Sequence, residues 1–197
     1  MGAPSRPEFV VATLPNGLRW VHQPTASPTG HIGLHLKAGS RDESREDEGL
    51  AHFTEHLIFK GTARRKAFHV LSRLEGVGGE LNAYTGKEDT LLYASFMVEH
   101  YRRAMDLLFD IVKHASIPER EVPKEREVIL DEMDGYKDNP SEALFDEFDA
   151  LLYPDHPLGM NILGRRDTVS RFERADVLRF ISALYRPEHA VLSSVGG

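Results

Sequence analysis

The run His52-Phe53-Thr54-Glu55-His56 carries the strongest chemical signal in this 197-residue sequence. On a helix the two histidines lie one turn apart and point the same way, so their imidazoles can grip one metal ion. Glu55 sits beside His56 and three residues after His52, on a shared face, where a carboxylate can take the proton from a metal-bound water. Zinc fits such a set best. It accepts nitrogen and oxygen ligands in tetrahedral geometry, keeps a position for water and lowers the pKa of that water toward neutrality. The plain alternative is a solvated helix face with two unrelated histidines. Against it, Leu50, Phe53, Leu57, Ile58 and Phe59 mark a core helix, and polar groups on a core helix need partners.

A third protein ligand must come from elsewhere. Glu125 and Glu132 stand two helical turns apart on a glutamate-rich stretch, with Val128 and Ile129 between them. Both can face inward, one ligating and the other supporting it from behind. Spacing does not choose between them, nor does it exclude a helix that simply carries solvated charge. His31, His35, His69, His100, His114 and His189 read as structural, since nothing pairs them with carboxylates at ligand spacing. Zinc requires neutral histidines, so binding and activity are expected to fall as pH drops through about 6.

These residues must be held by a core, and the chain is long enough to bury one. Hydrophobic residues make up 41% and charged residues 28%, as in ordinary globular proteins. The absence of cysteine excludes disulfides, thiolate zinc fingers, iron–sulfur clusters and a cysteine nucleophile. A net charge of −7 argues against non-specific nucleic-acid binding, and no apolar run approaches membrane-spanning length. The first seven residues lack an apolar signal core, which sets a cytoplasmic expectation.

The opening reads as a hairpin, Phe9 to Leu14 and Leu18 to His22 about the Pro15-Asn16-Gly17 turn. A third strand follows at His31 to Lys37. Helices are expected at Gly49 to Phe59 and Ala67 to Leu74, then two strands, Glu80 to Thr85 and Thr90 to Met97. His100 to His114 shows an apolar helical face of Ala104, Leu107, Leu108 and Ile111. Further helices are expected from Pro118 to about Tyr136, stopped by Asp138-Asn139-Pro140, at Ser141 to Leu152 and at Arg174 to Tyr185. A strand from Ala190 to Val195 closes the chain. The order implies an α+β two-layer sandwich, a largely antiparallel sheet with helices packed on it, in one domain spanning residues 1–197. The closing strand runs into Gly196-Gly197 without an exit segment, as at a boundary inside a longer chain.

His52-x-x-Glu55-His56 is the inverted zinc motif of the inverzincins, and the surrounding Gly49-Leu-Ala-His-Phe-Thr-Glu-His-Leu-Ile-Phe-Lys-Gly-Thr62 resembles the signature of the pitrilysin/insulinase family, processing-peptidase branch. Gly78 to Thr85, Glu125 to Asp134, Asp138-Asn139-Pro140, His156-Pro157-Leu158-Gly159 and Tyr185-Arg186-Pro187 are similar to that family's pattern too, so the likeness runs nearly end to end. The family's third ligand lies some 76 residues beyond the second histidine, which here is Glu132.

The resemblance implies a zinc metalloendopeptidase acting on extended peptides or unfolded segments. One zinc per chain would be held by His52, His56 and Glu132, with Glu55 as general base and Glu125 as a supporting glutamate of the catalytic machinery. Asn82, Ala83 and Tyr84 would form an edge strand that pairs with the substrate backbone. It also implies a second homologous domain or subunit, in a hetero- or homodimer, because family members close two such units around the peptide and only one is present. Rival readings are a non-catalytic structural or peptide-binding subunit of the same fold and a metal-dependent hydrolase of small molecules.

Overall fold

The computed structural model describes residues 8–137 and 140–197. Its sheet has six strands: β1 (Val10–Thr13), β2 (Arg19–Pro24), β3 (Thr29–Leu36), β4 (Glu80–Thr85), β5 (Thr90–Met97) and β6 (Ala190–Gly196). Their order across the sheet is β1-β2-β6-β3-β5-β4. Every neighbouring pair is antiparallel except β2 and β6. The last strand is therefore threaded into the middle, parallel to β2. The expected hairpin forms, with Gly17 at φ +88° in the turn that returns β1 to β2.

Strand alternation decides which face is buried. Along β3, Ile32, Leu34 and Leu36 turn inward, and along β5, Thr90, Leu92, Ala94 and Phe96 do the same. The register places Leu92, Leu34 and Leu192 in one row across three strands. That row is the floor of the core, each buried leucine contributing roughly 1.5–3 kcal/mol.

Among the described residues seven α-helices complete the fold: α1 (Leu50–Ile58), α2 (Ala67–Glu75), α3 (Tyr101–His114), α4 (Val122–Lys137), α5 (Pro140–Leu152), α6 (Arg166–Val169) and α7 (Arg174–Leu184). They cover the sheet with Leu50, Phe53 and Leu57 of α1, Ile129 and Met133 of α4, and Val177 and Phe180 of α7. All four apolar residues expected on the face of α3 are fully buried. The two-layer, largely antiparallel α+β architecture is thus the one the element order implied. None of these helices is long and apolar enough to cross a membrane.

Three details differ from the sequence reading. The helix expected from Pro118 starts as a short 3₁₀ turn at Glu119–Glu121, and α4 proper begins at Val122. Pro123 then falls in the first turn, where a missing N–H is tolerated. On α4, Val128 is 48% exposed while Ile129 is buried, so only Ile129 lies on the inward face. The short α6 was hidden in a stretch too brief for a helical period to show. The stop at Asp138-Asn139 and the opening residues 1–7 lie outside the described residues.

Candidate metal centre and peptide cleft

His52 and His56 are one turn apart on α1, their ring centroids 4.7 Å from each other and inclined by 64°. Burial of Leu50, Phe53 and Leu57 presses the opposite side of this helix into the core, which turns the histidines toward α4. Glu132 of α4 meets them: its carboxylate oxygens stand 3.8 Å from His52 Nε2 and 3.7 Å from His56 Nε2. One ligand atom from each of the three residues lies within 4.8 Å of the others. These separations are too long for hydrogen bonds. Two imidazole nitrogens and one carboxylate around an atom-sized gap are a zinc-type donor set. Bonds of about 2.0–2.1 Å would bring tetrahedral ligand atoms to roughly 3.3 Å from one another, a contraction of only a few tenths of an ångström from the closer pairs.

The surroundings prepare two of these donors differently. His56 Nδ1 lies 3.2 Å from Glu125 Oε2, a contact that assigns the proton to Nδ1 and leaves the Nε2 lone pair facing Glu132. Glu125 is buried, and its other oxygen is held by the Lys60 ammonium at 2.8 Å. His52 is more deeply buried than His56, and among the described residues its Nδ1 has no hydrogen-bond partner. Burial, with the neighbouring His56 adding to it, pulls the His52 pKa down to about 4, so its imidazole is neutral across the physiological range.

Glu55 lies at the same site with one oxygen anchored: the Thr85 hydroxyl donates to Oε2 at 2.5 Å. Burial raises the Glu55 pKa, with Glu132 adding to the rise, while the Thr85 hydrogen bond and His56 oppose it. A carboxylate made more basic than usual, in contact with the same space as the donor set, is suited to take a proton.

All four residues line an open cleft of about 450 Å³. One wall is β4, the sheet's edge strand, from which Ala83, Tyr84 and Thr85 reach the cleft. Asn82 lies on the same edge but outside the cleft lining, its side-chain oxygen accepting the Ala83 N–H at 2.9 Å. The far wall holds Asp146, which accepts hydrogen bonds from the Tyr136 hydroxyl and the Asn161 amide, both at 2.6 Å.

The structure therefore gathers His52, His56, Glu132, Glu55, Ala83 and Tyr84 around one space, with Glu125 directly behind His56. Sequence reasoning missed Lys60, Thr85, Tyr136, Asp146 and Asn161. Lys60 had a signal, standing one turn after His56, and Thr85 follows directly on Tyr84. Tyr136 likewise stands one turn after Glu132, but Asp146 and Asn161 had no signal, because α5 and the 161–163 loop meet the site only through the fold. Among the histidines set aside, three do stand beside carboxylates: His35 at 3.6 Å from Asp89 and His100 at 3.4 Å from Glu99, both away from the cleft, and His114 at 3.0 Å from the buried Asp110 one turn earlier. The His114 contact belongs to a network with Arg65 and Thr62, also away from the cleft.

Two imidazoles and a carboxylate beside an edge strand are a geometry suited to acting on a peptide laid along the sheet. A family model described as insulinase (peptidase family M16) matches residues 20–166, and the chain belongs to that family. It is 37% identical over 191 residues to the mitochondrial-processing peptidase subunit beta of Caenorhabditis elegans, covering 97% of this chain and 42% of that protein. It is 38% identical over 190 residues to a protein of Rickettsia felis described as an uncharacterized zinc protease, covering 95% of this chain and 46% of that one. Among solved structures, a protease from Helicobacter pylori superposes with a TM-score of 0.91 at 28% identity, over 96% of this chain and 46% of that chain. The chain thus spans less than half the length of these relatives.

Proposed function

We propose that this peptidase domain is the zinc-holding catalytic unit of a metalloendopeptidase that cleaves extended peptides or unfolded segments. The observation that carries this reading is the convergence of His52, His56 and Glu132 on one gap. Zinc bound there supplies a Lewis acid that makes a water nucleophilic near neutral pH and polarises a peptide carbonyl. His52 and His56 offer their Nε2 atoms, and Glu132 offers the carboxylate. Glu125, backed by Lys60, keeps the His56 ring in the tautomer and orientation that ligation requires. Glu55 accepts the proton of the attacking water and returns it to the leaving amine. Thr85 holds one of its oxygens still meanwhile. The substrate backbone adds to the edge of β4 near Ala83 and Tyr84, with Asn82 releasing the Ala83 N–H to it.

A second homologous unit completes the cleft, either a further domain or another subunit. Two observations support this. The longer relatives are matched over less than half their length. Beside the cleft, α5 also turns a row of large apolar side chains to solvent.

The test is metal content and turnover on wild type, Glu132→Gln and Glu55→Gln, purified without added metal. About one zinc per wild-type chain is expected, diminished in Glu132→Gln. Glu55→Gln should keep the zinc and lose roughly 10²–10⁴-fold in cleavage of an unstructured peptide. Zinc-replete wild type with no cleavage, even with its second unit present, would make the chain a non-catalytic subunit. No zinc in the wild type after reconstitution would overturn the metal site.

A further inference from the structure

Helix α1 carries both histidines and Glu55, yet its N-terminus has no side-chain cap of its own. The N-cap residue is Gly49, held at φ +95°. A Cβ at residue 49 would lie 2.6 Å from the Leu163 carbonyl oxygen, and one at Gly164 would lie 2.2 Å from the Glu48 carbonyl oxygen. The start of α1 is thus pressed against the loop that forms part of the cleft wall, and no serine, threonine or aspartate fits at the cap. The first N–H groups of the helix still require acceptors. Glu43 supplies them from upstream: Oε2 accepts the Gly49 N–H at 2.9 Å and Oε1 accepts the Ala51 N–H at 2.6 Å. Between them the Asp47 carbonyl takes the Leu50 N–H at 2.9 Å.

Fold stability alone gives little reason for this arrangement. Glu43 is buried, and among the described residues no cation pairs with it. The adjacent acids Asp47 and Glu48 have arginines instead, Arg179 at 2.9 Å and Arg165 at 3.0 Å. Burial pushes the Glu43 carboxyl up to about 8 against the pull of its two N–H partners. A buried carboxyl without a counter-charge is costly.

What the clamp governs is the next residue. His52 directly follows Ala51, and its buried Nδ1 has no hydrogen bond among the described residues, whereas the His56 ring is aimed by Glu125. The direction of the His52 ring is therefore set by the backbone of the first turn and by packing. We infer that Glu43 is a positioning residue: by holding the Gly49 and Ala51 N–H groups it fixes the first turn of α1, and through that turn the aim of His52 Nε2 at Glu132. Only the zinc readout of its test rests on the metal-site reading.

The experiment compares Glu43→Gln, whose amide nitrogen cannot accept an N–H, with Ile111→Val, a mild core change on α3 away from the site. In metal-free protein, the His52 ring resonances should move in Glu43→Gln while those of His56 stay, and neither should move in Ile111→Val. The dissociation constant for zinc, measured by chelator competition, should rise about tenfold or more in Glu43→Gln and less than about twofold in Ile111→Val. Glu43→Asp keeps both carboxyl oxygens but shortens the reach, and should repeat the pattern at lower amplitude if Glu43→Gln does not fold. Unmoved His52 resonances overturn the inference whether or not zinc binds. Equal weakening of zinc in both variants also overturns it, since Glu43 would then act only through stability. A wild type that takes no zinc refutes the metal site and leaves the ring resonances to decide the role of Glu43.

Discussion

Helices α1 and α5 both border the cleft, and they are built inside out relative to each other. In α1 the apolar residues Leu50, Phe53, Leu57 and Ile58 are fully buried, and the polar side meets α4. In α5 two acidic residues face the molecule. Asp146 accepts from Tyr136 and Asn161, and Asp149 pairs with Lys87 at 3.0 Å, while Phe145 is 72% and Leu151 80% exposed. Leu144, Phe148 and Leu152 continue that outward stripe. Apolar spacing of 3.6 residues marks a stripe in either helix but does not say what the stripe meets. In α1 the core answers the stripe. In α5 it is left on the surface, where contiguous apolar area of this kind commonly marks an interaction site.

The comparison is broken most forcefully by truncating one aromatic ring in each helix. Phe53 is fully buried and packs edge-on against Phe172, with ring centroids 5.4 Å apart. Phe53→Ala removes that contact and leaves a cavity under the histidines, so a loss of about 3–5 kcal/mol is expected in chemical denaturation of the metal-free protein. Zinc affinity should fall with it, since the helix bearing the ligands loses its footing. A loss below about 1 kcal/mol would mean that α1 is not anchored as described.

A smaller effect concerns the charge state of the site on α1. In the unfolded chain His52 titrates near its ordinary 6.5, and in the fold near 4. Between those values the unfolded chain binds a proton that the folded one does not, so stability rises with pH across the window and falls as pH drops from 6.5 to 4. Glu55, whose pKa is raised in the fold, works in the opposite sense. The difference between wild type and His52→Gln isolates the histidine. Without metal, wild type should lose roughly 3 kcal/mol relative to the variant over that range. Parallel stability curves would show that His52 is neither as buried nor as neutral as its surroundings imply. At His52 itself, proton competition with a metal should therefore set in only well below pH 6.

Much of this was legible in the sequence, for identifiable reasons. The strands at β3 and β5 are read near their observed bounds, and the helical face of α3 is a strong periodic signal that led to both its element and its burial. The pair His52 and His56, with Glu55 between, announces itself by spacing inside one helix. Choosing Glu132 over Glu125 as the residue facing both Nε2 atoms was beyond periodicity, because both lie on the same side of α4 and only the offset between helices separates their roles. Glu43 was illegible for another reason. Its partners are the main-chain N–H groups of Gly49 and Ala51, and nothing in a list of residue types marks an external cap. The outward turn of α5 was equally hidden, since its stripe reads like that of any core helix.

The smallest expected effect sharpens the comparison from the side of α5. Phe148 is 55% exposed, on the stripe opposite Asp146 and Asp149. Phe148→Ser removes apolar surface that is already in water, so the stability of the unit by itself should change by no more than about 0.5 kcal/mol. The consequence should appear in association. If a second unit sits on this stripe, the variant should weaken binding to that unit and reduce turnover only at low concentrations of it, with zinc content unchanged. Light scattering and a titration of activity against the second unit would show this. A stability loss comparable to that of Phe53→Ala would mean that the stripe is buried in solution by the chain itself. Unchanged association would move the contact between the units to another face, and α5 would then serve the cleft only through Asp146 and its hydrogen bonds to Tyr136 and Asn161.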